Sequence, residues 1–217
     1  MKYAKMLGLA AVAAAALMAF VGASSASATV LCKTNPVAEK TGTVCPSSWA
    51  YGANTTIHAV LKAGTKAKLV TSFKTIECSK STVHGDTTNE GSATETVDGP
   101  ITILTFEECN CEVVEVKKPG SLEIHWIENS HNGTLTSSGA EVTTICSSVF
   151  GKVHCVYTTN ETHLGVLDGG APAIMTIKNA KIPVDAANSD KLCPEKSEWT
   201  AEYEVTEPNP LYVAGHT

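Results

Sequence analysis

Residues 197–206 read Ser197-Glu198-Trp199-Thr200-Ala201-Glu202-Tyr203-Glu204-Val205-Thr206. Trp199, Ala201, Tyr203 and Val205 alternate with Glu198, Thr200, Glu202 and Glu204, and a period of two sends successive side chains to opposite faces of a sheet. The stretch predicts a strand with one apolar, buried face and one wet, acidic face. Around Leu122, Ile124 and Trp126 the same alternation predicts a strand over 122–128, opposed by Glu123, His125 and Ile127. Weaker versions of the pattern predict strands over 56–61, 67–73, 101–106, 142–146, 153–158 and 173–182.

Turn-forming residues punctuate these segments about every ten residues, the spacing of an all-β domain. Ala63-Gly64-Thr65, Asp98-Gly99-Pro100, Pro119-Gly120, Asn132-Gly133, Ser138-Gly139 and Asp168-Gly169-Gly170 all read as turns. The polar stretch 79–99 reads as a long exposed loop between core strands, with room in it for a short edge strand. No helical stripe is present to carry a parallel crossover, so the sheet is expected to be antiparallel. The fold class that follows is all-β: an antiparallel β-sandwich, jelly-roll or Ig-like, stapled by disulfides.

The N-terminus has the grammar of an export signal. Lys2 and Lys5 precede an apolar run over 7–21, and Ala26-Ser27-Ala28 supplies the small residues of a cleavage site. Residues 1–28 are therefore expected to be a cleaved signal peptide, 29–52 an N-terminal cap clipped by a disulfide, and 53–217 a single β-sandwich domain. The protein is expected to be secreted, extracellular or associated with the cell envelope. Thr29-Val30-Leu31 before Cys32 lacks the small residues of a lipoprotein signal, and no later apolar run is long enough to span a membrane.

All 16 basic residues are lysine, and the whole chain carries a net charge of −6. Loss of the leader leaves 14 lysines against 22 acidic residues, a net −8. An acidic surface without arginine disfavours nucleic acid, anionic membrane and phosphate-handling functions. Nucleic acid is accordingly not expected as a partner.

Eight cysteines follow the leader, and an even number in an exported chain reads as a disulfide framework. Cys32 with Cys45 closes a short loop worth about 3 kcal/mol of chain entropy. Cys146 with Cys155 is expected across a hairpin. Cys109 and Cys111, read as strand neighbours about 6.6 Å apart on one face, need different partners; Cys78 with Cys109 and Cys111 with Cys193 is the preferred pairing, with 109 and 111 interchangeable. A zinc site of Cys109, Cys111 and His154 or Glu107 and Glu108 lacks the two-residue gap that zinc prefers, and the seven histidines show no helical i, i+4 pair. No metal and no cofactor is expected.

No nucleophile elbow, phosphate-binding glycine loop or dinucleotide fingerprint occurs. Glu107, Glu108, Glu112 and Glu115 cluster around the Cys-x-Cys, and Glu198, Glu202 and Glu204 line one strand face. Paired carboxylates of this kind serve glycoside hydrolysis, but on half-exposed strands they read as solubilising faces. Trp126 and Trp199 fall on apolar faces and read as core. Trp49 and Tyr51, adjacent in the cap, are the candidate exposed aromatic pair for stacking on a ligand.

Several ordered elements carry a resemblance: Ser72-Phe73 leading to Ile76-Glu77-Cys78; Ile101-Thr102-Ile103-Leu104-Thr105-Phe106 leading to Cys109; Asn132-Gly133-Thr134-Leu135-Thr136; Cys193-Pro194; Trp199-Thr200-Ala201-Glu202-Tyr203; and a final Pro210-Leu211-Tyr212-Val213. Together they resemble a family of uncharacterised secreted cysteine-containing β-proteins of actinobacteria, with a more distant similarity to small secreted activators of alkane oxidation. The resemblance implies secretion and lends no catalytic residue. The function expected is non-enzymatic: a structural or adhesive protein, or one that binds a cell-surface glycan or an apolar ligand. The alternative is a secreted hydrolase using carboxylates or a dispersed Ser-His-Asp set.

Overall fold

The computed structural model describes residues 29–37, 44–149 and 151–216; the expected signal peptide, residues 1–28, lies outside them. Residues 197–206 fall within a strand, β13 (Ser197–Glu207). Ala201, Tyr203 and Val205 are completely buried, whereas Glu202 and Glu204 face outward. The alternation therefore marks inside and outside as expected.

The inside belongs to a closed sheet. In order around it run β12 (Ala173–Ile182), β11 (Thr162–Asp168), β8 (Gly133–Ser138), β7 (Ser121–Trp126), β5 (Val97–Cys109), β4 (Thr75–Asp86), β2 (Thr56–Leu61) and β13, which pairs back onto β12. All these pairings are antiparallel. The all-β, antiparallel, disulfide-stapled class holds, but the expected sandwich gives way to an eight-stranded barrel. The reason is β12, which hydrogen-bonds β11 on one side and β13 on the other, so the sheet has no two edges to separate into layers. A short strand, β3 (Ala67–Val70), continues the line of β2 between β4 and β13 after the Lys62–Lys66 excursion, filling the wall where β2 ends.

Of the expected loop over 79–99, residues 79–86 and 97–99 belong to long barrel strands. β4 runs to Asp86 and β5 starts at Val97, so only 87–96 lies between them. Ile76, Cys78, Ser81, Val83 and Gly85 are the buried positions of β4, and beyond residue 79 the small Ser81 and Gly85 conceal the pattern. At Gly85 a Cβ would lie 2.3 Å from the Pro100 carbonyl oxygen, so the backbones of β4 and β5 meet there in a way only glycine allows. Asp98-Gly99-Pro100, expected as a turn, pairs within β5 against Ser121, Leu122 and Glu123.

Two chain insertions leave the barrel at one end. β6 (Val113–Lys118) lies between β5 and β7 in sequence, and the hairpin of β9 (Glu141–Ser148) and β10 (Gly151–Thr158) lies between β8 and β11. They join as a three-stranded sheet, β10-β9-β6, whose Val153, Cys155 and Tyr157 belong to the same buried core as the barrel. This sheet is a lid. The opposite end is covered by a ribbon of β1 (Val30–Cys32) and β14 (Tyr212–Ala214), which sends Leu31 and Val213 into that core.

Cys32–Cys45 and Cys78–Cys109 form as expected. The other two pairs are corrected: Cys111 joins Cys146 and Cys155 joins Cys193. In the β9–β10 hairpin Cys146 faces Val153 and Cys155 faces Thr144, a two-residue offset that leaves the expected Cys146–Cys155 bridge without opposed partners. Cys111 is not a strand neighbour of Cys109 either, because β5 ends at Cys109 and the chain turns into β6. The result fastens the lid at two edges. Cys111–Cys146 holds it beside β5, and Cys155–Cys193 ties β10 to the β12–β13 connection, whose Asp185 and Asp190 also hydrogen-bond the β10 backbone.

Candidate functional site

Between lid and barrel lies a partly open space of about 120 Å³. Its barrel walls come from β13 (Trp199, Tyr203), β5 (Leu104, Phe106) and β12 (Met175, Ile177), and its roof from Val114, Val142, Thr144 and Tyr157 of the lid. Strand alternation produces this lining: each wall contributes its inward, apolar set, and no charged side chain borders the chamber. Trp199 meets Phe106 and Tyr203 edge-on, with ring centroids 6.2 and 6.4 Å apart. A second apolar space of about 50 Å³ lies further along the barrel and shares Val83, Leu135 and Met175 with the first.

The polar atoms in the chamber divide into two groups. Ser81 Oγ donates to the Thr105 carbonyl at 2.6 Å, which leaves it to accept the Tyr203 hydroxyl at 2.8 Å. Ser137 and Thr159 hydroxyls bond each other at 3.0 Å, and the Ala140 N–H donates to Thr159 Oγ1. Tyr157 Oη and Thr144 Oγ1 are buried too, yet neither has a hydrogen-bond partner among the described residues. Burial pushes the Tyr157 phenol up to about 12, so it stays protonated at any physiological pH. Both residues lie on the inner face of the lid. Thr144 is opposite Cys155, and Tyr157 is two residues further on, a diagonal pair on adjacent strands.

The sites expected from sequence lie elsewhere. Trp49 closes a single 3₁₀ turn, Ser47–Trp49, and packs half-buried on the small cluster of Val30, Cys32, Cys45 and Ala214. Tyr51 packs on the main core and donates its hydroxyl to the Pro210 carbonyl at 2.7 Å, with Lys33 Nζ 5.4 Å from its ring centre. These two residues seal the ribbon end and do not border the chamber. All eight cysteines are in disulfides, so no thiolate remains for the Cys109, Cys111 and His154 metal arrangement.

The carboxylate clusters also sit outside the chamber. Glu108 pairs with Lys80, Glu115 with Lys117, Glu202 with Lys62 and Glu198 with Lys181. Glu112 accepts from Ser147, which holds its carboxyl below the usual carboxylate range. His58 and His84 face each other across β2 and β4, each ring bonded to a threonine hydroxyl, of Thr206 and Thr102. An open groove of about 730 Å³ along β11 and β12 is bordered by His163, Asp168, Lys178 and Lys181, and holds no Trp, Tyr or Phe on which a sugar ring would stack.

Comparison of the chain with protein-family models, with curated proteins and with solved structures finds no match in any of the three. The chamber's own geometry is therefore the guide to function. Sequence reasoning missed Thr144 and Tyr157 as site residues although both strands were predicted. Val153, Cys155 and Tyr157 do alternate in the sequence, but that this face roofs a barrel depends on where the hairpin folds, which the local pattern does not encode.

Proposed function

We propose that the protein is a non-enzymatic binding protein of the cell exterior that holds one small apolar molecule inside its barrel. The observation that carries this reading is the chamber of about 120 Å³, lined by uncharged residues of the barrel walls and of the disulfide-fastened lid. An eight-stranded barrel is at the size where side chains just fill the interior or leave room for one small ligand. An engineered apolar cavity of about 150 Å³ stays dry and takes up benzene, so a single six-membered ring is the scale of molecule that fits. The four disulfides support an oxidising, extracellular setting. Membership of the secreted actinobacterial β-proteins is part of the same proposal and rests on the motifs quoted above.

A hydrolase is the weaker reading, because Glu108, Glu115, Glu198 and Glu202 are paired with lysines, and Glu112 is held by Ser147, outside the chamber. The test is a titration of isotope-labelled protein with toluene, followed by NMR. Saturable shifts confined to chamber residues such as Leu104, Met175 and Tyr203 are expected. Absence of saturable shifts up to the solubility limit of toluene, or shifts restricted to outer-face residues, would overturn the reading.

A further inference from the structure

The chamber lining is mainly apolar, and among the described residues its two fully buried side-chain hydroxyls without a hydrogen-bond partner, Tyr157 Oη and Thr144 Oγ1, both come from adjacent strands of the roof. Tyr157 is 3% exposed, and Thr144 is 2% exposed. The other tyrosine in the same chamber, Tyr203, is buried just as deeply but has Ser81 to bond. Leaving a buried hydroxyl unmade costs about 1–3 kcal/mol, so two on one strand pair form a standing demand for a bonding partner. No lysine or histidine borders the space, and an ionised ligand would enter it without a counter-charge, at a cost well beyond what apolar contact returns.

From this we infer that the ligand is a neutral molecule with a single oxygen function, an alcohol or carbonyl compound, whose oxygen bonds the Tyr157 and Thr144 hydroxyls while its apolar body lies against Phe106 and Trp199. The inference rests on the binding role proposed above. A hydroxyl both donates and accepts, so the pair satisfies either an alcohol or a carbonyl oxygen. A carboxylate of the same shape is excluded at neutral pH. The lid thus sets the orientation of the ligand and the barrel sets its size.

The experiment compares toluene, benzyl alcohol and benzoate at pH 7 on the full chain and on the near-isosteric variants Tyr157→Phe and Thr144→Val, by calorimetry with NMR to locate the bound molecule. Each variant should weaken benzyl alcohol five- to tenfold, as expected for one hydrogen bond. Toluene should bind wild type and both variants alike, and benzoate should not bind. Circular dichroism melts show whether the variants are folded, and both are expected to melt no lower than wild type because each removes an unsatisfied group. If the variants weaken toluene as much as benzyl alcohol, if they leave benzyl alcohol unchanged, or if benzoate competes with it, the assigned ligand class is wrong although an apolar binding site remains. If toluene itself fails to bind wild type, the binding role falls, and the ligand class with it.

Discussion

Replacing Trp199 with alanine tests the walls of the chamber. Full truncation of a buried Phe or Trp costs about 3–5 kcal/mol from lost burial and the cavity left behind. Trp199 belongs at the lower end of that range, since its ring is only partly buried and already borders open space on one side. Its edge contacts with Phe106 and Tyr203 account for about 1–3 kcal/mol together. The remainder comes from apolar area, for a total of about 3 kcal/mol. In a domain of this size that lowers the melting temperature by about 6–12 °C. Urea denaturation followed by far-UV circular dichroism measures the loss directly. Trp199→Ala should also enlarge the chamber, so naphthalene, too large for the wild type, should gain affinity. A loss below about 1 kcal/mol, or no change in the size of ligand accepted, would refute the placement of Trp199 as a chamber wall.

Non-reducing peptide mapping should recover Cys111 joined to Cys146 and Cys155 joined to Cys193, with no Cys146–Cys155 peptide. Replacing Cys155 and Cys193 together by alanine removes one fastening of the lid and should cost about 2–5 kcal/mol, read from urea midpoints. Stability should fall as pH rises from about 10 to about 12. In that window an unfolded tyrosine loses its proton while buried Tyr157 keeps it, so the folded state binds more protons and stability declines with pH. Tyr157→Phe should flatten that part of the profile by about 3 kcal/mol, and an unchanged alkaline limb would contradict the burial of that phenol. Glu204→Gln, on the outer face of β13, should change stability by no more than about 0.5 kcal/mol.

Much of the barrel wall was legible in the sequence because its inward residues are large and apolar. The predicted ranges 56–61 and 173–182 coincide with β2 and β12, and 197–206 falls one residue short of β13. β4 was half missed for the complementary reason. Tyr203, on β13 just beyond the β2–β3 line, reaches across to Ser81, so β4 supplies small inward residues there, and a face of Ser, Val and Gly looks like a loop. Barrel closure was invisible because alternation is the same in a sandwich and a barrel; the two differ only in whether β12 meets β13. The cysteine pairs divide the same way. Cys78 and Cys109 face each other in a ladder that joins consecutive strands, whereas the partners of Cys111 and Cys155 depend on how the two insertions meet. Tyr157 and Thr144 belong with that second group, since a hydroxyl becomes part of a site only when the lid covers the barrel.

The binding role stands on an accessible apolar chamber beneath the lid. Crystals pressurised with xenon test it most directly, because xenon enters apolar cavities of this size without needing a polar partner. A xenon peak bounded by Phe106, Tyr157, Trp199 and Tyr203 is expected. A chamber that takes up no xenon, with side chains packed across it, would rule out an apolar binding site in the barrel.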